Sequence, residues 1–121
     1  MVYKLIRSKI PEKLAEQGKS IETMTINTDW LYMEMLGSRL QEACGEVVQY
    51  NSLGALIDLQ DLIDCILSVN GISKEDFEKS RKQAEENAGS FSGRLVGLFS
   101  DNPAPAAKVE QSQDEKPADK Q

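Results

Sequence analysis

The sequence predicts an all-α protein: a helical bundle of four to five helices built on an antiparallel αα-hairpin, with a short N-terminal extended segment. Three observations carry this. Met33, Leu36, Leu40, Ala43 or Cys44 and Val47 recur at steps of three and four residues, and so do Leu56, Leu59, Ile63 and Ile66; each set draws one apolar stripe along a helix. The short stretch between them, Ser52-Leu53-Gly54, reads as a turn, so the two helices fold back on one another. Residues that start and stop helices flank the stripes.

In chain order, Pro11 suits a first helical turn, and Pro11 to Gln17 reads as a short helix ended by Gly18. Ile21 to Ile26 alternates and is β-branched, so it is an extended segment or a short strand; it has no evident partner, and no sheet follows from it. Thr28 or Asp29 caps the first long helix, which runs to about Asn51. Gly37 and Gly45 lie inside it and each costs about 1 kcal/mol relative to Ala, so this helix needs tertiary support. Ala55 to Val69 forms the second long helix, and Asn70-Gly71 gives it a left-handed stop. Ser73 caps a further helix from Lys74 to about Asn87, with Asp76 in the third position of a capping box and Gly89 as its end. That helix is charged all round. Phe91, Leu95, Val96, Leu98 and Phe99 make a last apolar segment, with Phe91 expected to pack against the bundle. Residues 1–100 are thus read as one helical domain. From Asp101 to Gln121 the chain is polar and carries Pro103 and Pro105 but no aromatic, which is the composition of a disordered tail. A lone αα-hairpin leaves much apolar surface bare, so cover is expected from the other helices and from a second copy, as a homodimer or higher homo-oligomer.

Composition narrows function. The 121 residues carry a net charge of −6 and no histidine. The acidic balance opposes nucleic-acid binding and a polybasic membrane contact. Without histidine, Ser-His and Cys-His nucleophiles are excluded, and Cys44 and Cys65 form neither a disulfide scaffold nor a common zinc site. Both cysteines are expected as small core residues. No apolar run reaches membrane-spanning length. The opening meets Arg7, Lys9 and Pro11 before any apolar run of signal-peptide length, so no secretion signal is expected and a cytoplasmic location is the default.

The acids are patterned. Glu42 and Glu46 are four apart on the first long helix and share a face; Asp58 and Asp61 are three apart on the second. In an antiparallel hairpin the two pairs stand at comparable distances from the turn and can converge. Converging carboxylates repel unless cations neutralise them, and hard oxygen ligands with open positions suit Mg²⁺ or Mn²⁺. The plainer reading of such spacing is a solvated acidic face.

A resemblance sharpens this. Tyr3-Lys4-Leu5-Ile6-Arg7-Ser8-Lys9-Ile10-Pro11 resembles the opening of a branch of small MazG-like proteins, related to phosphoribosyl-ATP pyrophosphohydrolase. The likeness continues through Gly18-Lys19, the extended Ile21 to Ile26, Arg39-Leu40-Gln41-Glu42 and Asp58 to Ser73, and closes with Gly89-Ser90-Phe91-Ser92-Gly93-Arg94-Leu95. It implies a Mg²⁺-dependent hydrolase that cleaves a nucleoside triphosphate to the monophosphate and pyrophosphate. It assigns metal binding to Glu42, Glu46, Asp58 and Asp61, catalysis to Glu42 and Glu46, and phosphate contacts to Arg7, Lys9 and Arg94. The family carries Glu-Glu-x-x-Glu on one helix and Glu-x-x-Asp on the next. Here Ala43 takes the second glutamate slot, Ser8 replaces the Asp of the opening, and Ala55 falls on the glutamate of the second motif in the ungapped register. A register shifted by one turn places Asp58 and Asp61 on Glu-x-x-Asp instead. The missing carboxylates leave open an inactive nucleotide-binding or protein-interaction module with the same fold. Trp30 and Tyr32 either stack on a base or pack at the helix start or a subunit interface.

Overall fold

A computed structural model of the chain describes residues 3–100; the stretch read as a disordered tail lies outside the described residues. Among the described residues four α-helices follow one another: α1 (Ile10–Glu16), α2 (Asp29–Tyr50), α3 (Leu53–Val69) and α4 (Lys74–Ala88). The architecture is all-α, and no strand occurs among the described residues. Ile21 to Ile26 is accordingly non-helical without joining a sheet, as expected of a β-branched run with no strand to pair with. No helix of the described residues is long and apolar enough to cross a membrane.

The helix ends follow their local chemistry. Thr28 sits in extended conformation at the α2 N-cap, though its side chain makes no capping bond. Asn51 ends α2 in the left-handed region at φ 51, a position that asparagine tolerates. The link to α3 is tighter than the sequence suggests. Ser52 is already the N-cap, its Oγ accepting from the Ala55 backbone N–H at 3.1 Å, so α3 starts at Leu53 rather than Ala55. The reason is that a capping serine satisfies an orphan donor and lets Leu53 and Gly54 take helical geometry. At the other end the Asn70 amide donates to the Ile66 carbonyl at 2.8 Å, and Gly71 turns the chain at φ 70. Ser73 Oγ then accepts from the Asp76 N–H at 3.0 Å and opens α4.

The described residues fall into two units that divide between Glu78 and Lys79, inside α4. In the first, α2 packs against α3, with Tyr32 facing Cys65 and Arg39 hydrogen-bonded to Asp58; these pairings run antiparallel. The core of this pair is Leu36, Ala43 and Leu62, with Leu5, Leu40, Leu59, Cys65 and Ile66 packed around it. Leu5 brings the non-helical opening segment across the pair. In the second unit the charged part of α4 leads to Gly89 at φ 83, and residues 94–99 have no regular structure.

Two packing expectations need correction. Phe91, expected to pack, is fully exposed, in a segment that forms no helix. Cys44 is exposed rather than a core residue; its neighbour Ala43, fully buried, takes the inward position of that turn. Cys65 is the cysteine that packs against the core. Tyr32 likewise packs there, whereas Trp30 is exposed.

Candidate functional site

Four acids from two helices come together around cations of the same chain. On α3, one turn apart, Asp58 and Asp61 both face Arg7 of the opening segment, whose Nη2 lies 2.7 Å from Asp58 Oδ1 and 2.8 Å from Asp61 Oδ2. The second oxygen of Asp58, Oδ2, accepts from Arg39 Nη2 of α2 at 3.0 Å. Asp58 is therefore clamped between two guanidinium groups. Arg39 Nη1 stands 4.0 Å from Glu42 Oε1 and 3.9 Å from Glu46 Oε1. Glu42 is also engaged by Lys4 Nζ at 2.7 Å.

The sequence accounts for this placement. Glu42 and Glu46 follow Arg39 by three and seven residues, so all three lie on one face of α2. Asp58 and Asp61 share a face of α3 by the same geometry. The opening segment crosses the helix pair because Leu5 anchors it in the core, which puts Lys4 and Arg7 on the acidic side.

A cavity of about 410 Å³ opens beside this cluster. Lys4, Arg7, Arg39, Asp58 and Asp61 form its charged wall, and Leu5, Ile6, Ile10 and Leu62 its apolar wall. Tyr32 and Cys65 also line it, and their hydrogen bond raises the Tyr32 phenol above its ordinary pKa, with burial acting in the same direction. Glu42 and Glu46 stand beside the cavity wall, joined to it through Lys4 and Arg39. Lys9 is at the α1 N-cap, exposed, and does not line the cavity. Arg94 belongs to the second unit, where its backbone is left-handed at φ 59.

The sequence reading gave no role to Arg39 or Lys4. The signal was present in the spacing of Arg39 from Glu42 and Glu46. Spacing on one helix does not by itself tell an internal ion pair from a solvated charge, and the partner of Lys4 lies far away in sequence.

The donor chemistry of the cluster suits a hard divalent cation, but its arrangement does not. Among the described residues no three Asp, Glu or Cys side chains are grouped to hold a metal ion. Arg39, Arg7 and Lys4 stand where such an ion would need bare carboxylates. An ion placed about 4 Å from one guanidinium would meet roughly 8 kcal/mol of repulsion, twice the unit-charge value at an effective dielectric of about 20. Ala43 and Ala55, which fall on glutamate slots of the resembling motifs, are 0% and 4% exposed and face the interior. The acidic face of α3 is carried by Asp58 and Asp61.

The pairing sets an expected pH dependence. The hydrogen bond from Lys4 holds Glu42 below its usual range, and the hydrogen bonds from Arg7 do the same for Asp58, each against a smaller opposing effect of burial. A carboxyl lowered in the folded state adds stability that is complete above its unfolded pKa, about 4, and is lost as pH falls through the lower folded value. Urea midpoints are expected to hold steady from neutrality to about pH 5 and to drop below about pH 4. Lys4→Met should flatten that acid limb. An unchanged limb in this variant would mean that the Lys4–Glu42 contact is not maintained in solution.

Comparison with known proteins gives no match among family models, curated proteins or solved structures.

Proposed function

We propose that the cavity between the opening segment, α2 and α3 receives a nucleoside triphosphate with its magnesium ion, whose phosphates draw Arg7 and Arg39 off the carboxylates, and that the protein is a pyrophosphohydrolase of the magnesium-dependent type, releasing the monophosphate and pyrophosphate. The observation that carries this is the meeting of Glu42, Glu46, Asp58 and Asp61, from two helices, around Arg7 and Arg39. These are the residues to which the MazG-like resemblance assigns metal binding, here paired with cations of the chain. The cavity volume of about 410 Å³ falls within the usual size of small-molecule sites. Its apolar wall offers a surface for a base, and Arg7, half exposed on the charged wall, can exchange its carboxylate contacts for bidentate contact with phosphate oxygens.

A second reading has its own support. All four acids face cations of the chain, and both alanines in glutamate slots are buried. That combination favours a module that binds the nucleotide without turning it over.

Pyrophosphate release from a panel of NTPs and dNTPs, with Mg²⁺ or Mn²⁺, tests the first reading. Activity is expected on at least one substrate, and Glu42→Ala is expected to abolish it. Nucleotide binding by calorimetry without pyrophosphate release would select the second reading. If neither release nor binding is found at high protein concentration, both are wrong.

A further inference from the structure

We propose that Arg39 is a built-in counter-ion that closes the acidic cluster against divalent cations, so that the protein takes up such a cation only when this guanidinium is removed or displaced. The inference concerns regulation of the site described above. It stands on cation uptake alone, and so does not depend on whether a nucleotide is turned over.

Three observations carry it. Arg39 reaches acids of both helices: Nη2 lies 3.0 Å from Asp58 Oδ2 on α3, and Nη1 stands 3.9 Å from Glu46 and 4.0 Å from Glu42 on α2. Its side chain is only 17% exposed, so it is sequestered between the helices. Nη1 is enclosed, yet it donates no hydrogen bond. A surface arginine recruited for stability would be free to turn each N–H to an acceptor or to water. Arg39 is instead held at a point between three carboxylates, which is where a cation neutralises most charge.

The electrostatics follow from the pairings. The four acids face three cations, Lys4, Arg7 and Arg39, and the cluster carries one net negative charge. One negative charge shared among partly exposed groups is a weak attraction for a divalent ion, which also needs several bare oxygens. Removing Arg39 raises the net charge to two negatives and frees Asp58 Oδ2, together with the sides of Glu42 and Glu46 that face it. Removing Arg7 frees Asp58 Oδ1 and Asp61 Oδ2. Both positions become competent to supply oxygens, but Arg39 alone lies between α2 and α3 in contact with acids of both.

The test is titration of the full chain with Mn²⁺ alone, with no nucleotide present, following free Mn²⁺ by electron paramagnetic resonance. Arg39→Met keeps the aliphatic stem that packs between the helices and deletes the charge. Wild type is expected to show little uptake at millimolar Mn²⁺. Arg39→Met is expected to bind about tenfold more tightly or better, as freed carboxylates enter the shell. Circular dichroism establishes whether this variant folds. If it does not, Arg7→Met, which alters an exposed side chain, carries the test with a smaller expected gain over wild type. Uptake by wild type as tight as by the folded variant would overturn the proposal, because the guanidinium would then be no barrier. Absence of uptake by the folded variant would overturn it equally, because no cation position would lie behind Arg39. Neither result bears on pyrophosphate release, which is measured separately.

Discussion

Leu36→Ala is expected to destabilise the fold by about 3 kcal/mol, within the usual range of about 2–5 kcal/mol for such a truncation in a core. Leu36 is fully buried on α2 and is the largest fully buried side chain among the described residues. It packs in one cluster with Ala43 and Leu62. Two of the five buried core residues among the described residues are alanines, so the core has few large side chains to share the load. Removing the isobutyl group forfeits its transfer free energy and leaves a cavity that backbone-rigid helices close only in part. Domains of this size are stable by about 5–15 kcal/mol, and the loss is a large share of that. Thermal and urea unfolding followed by circular dichroism measure it. Leu53→Ala, at a position 72% exposed, should change stability by less than about 0.5 kcal/mol. If the two substitutions cost the same, Leu36 is not at the centre of the core.

The same residues mark how far the sequence was legible. The α2 stripe declared itself because a helix that must bury one face repeats at three and four residues, and Met33, Leu36, Leu40 and Ala43 are all found in or against the core. On α3 Leu59 and Ile66 are found there too, but Leu56 is exposed and the buried leucine is Leu62, outside the stripe, because the continuous apolar composition of α3 leaves its inward face ambiguous. Ser73 and Gly71 could be read directly, since capping and left-handed backbone are local chemistry. Ile21 to Ile26 illustrates the limit: β-branched alternation states a preference for extension, but a strand exists only with a partner, and partnering is not local. Leu95, Val96, Leu98 and Phe99 make the same point. They are apolar without periodicity, and the chain does not fold them into a helix. In the candidate site the acids were legible as two same-face pairs, and their convergence followed from the short link between the helices. Their neutralisation was not. Lys4 and Arg7 reach Glu42 and Asp58 across 38 and 51 residues of sequence, a separation at which spacing carries no information.

Asp58→Ala is expected to cost about 2 kcal/mol, and Asp61→Ala less than about 1 kcal/mol, although both acids pair with the same arginine. The difference comes from Arg39. Asp61 is about half exposed and its salt bridge is with Arg7, itself half exposed; losing it leaves Arg7 free to turn to water, and such surface pairs contribute little. Asp58 is 24% exposed and accepts from both Arg7 and Arg39. Without it, Arg39 loses its short hydrogen bond and keeps only the contacts near 4 Å to Glu42 and Glu46. The guanidinium is then a largely sequestered charge without a close acceptor, which is costlier than the loss of the pair itself. The double variant Asp58→Ala with Arg39→Met should recover part of the loss, because it removes the stranded charge along with its partner. Urea unfolding of the two single variants and the double variant measures the coupling. Equal costs for Asp58→Ala and Asp61→Ala, with no recovery in the double variant, would show that Arg39 finds water or another acceptor and that the clamp between α2 and α3 does not hold in solution.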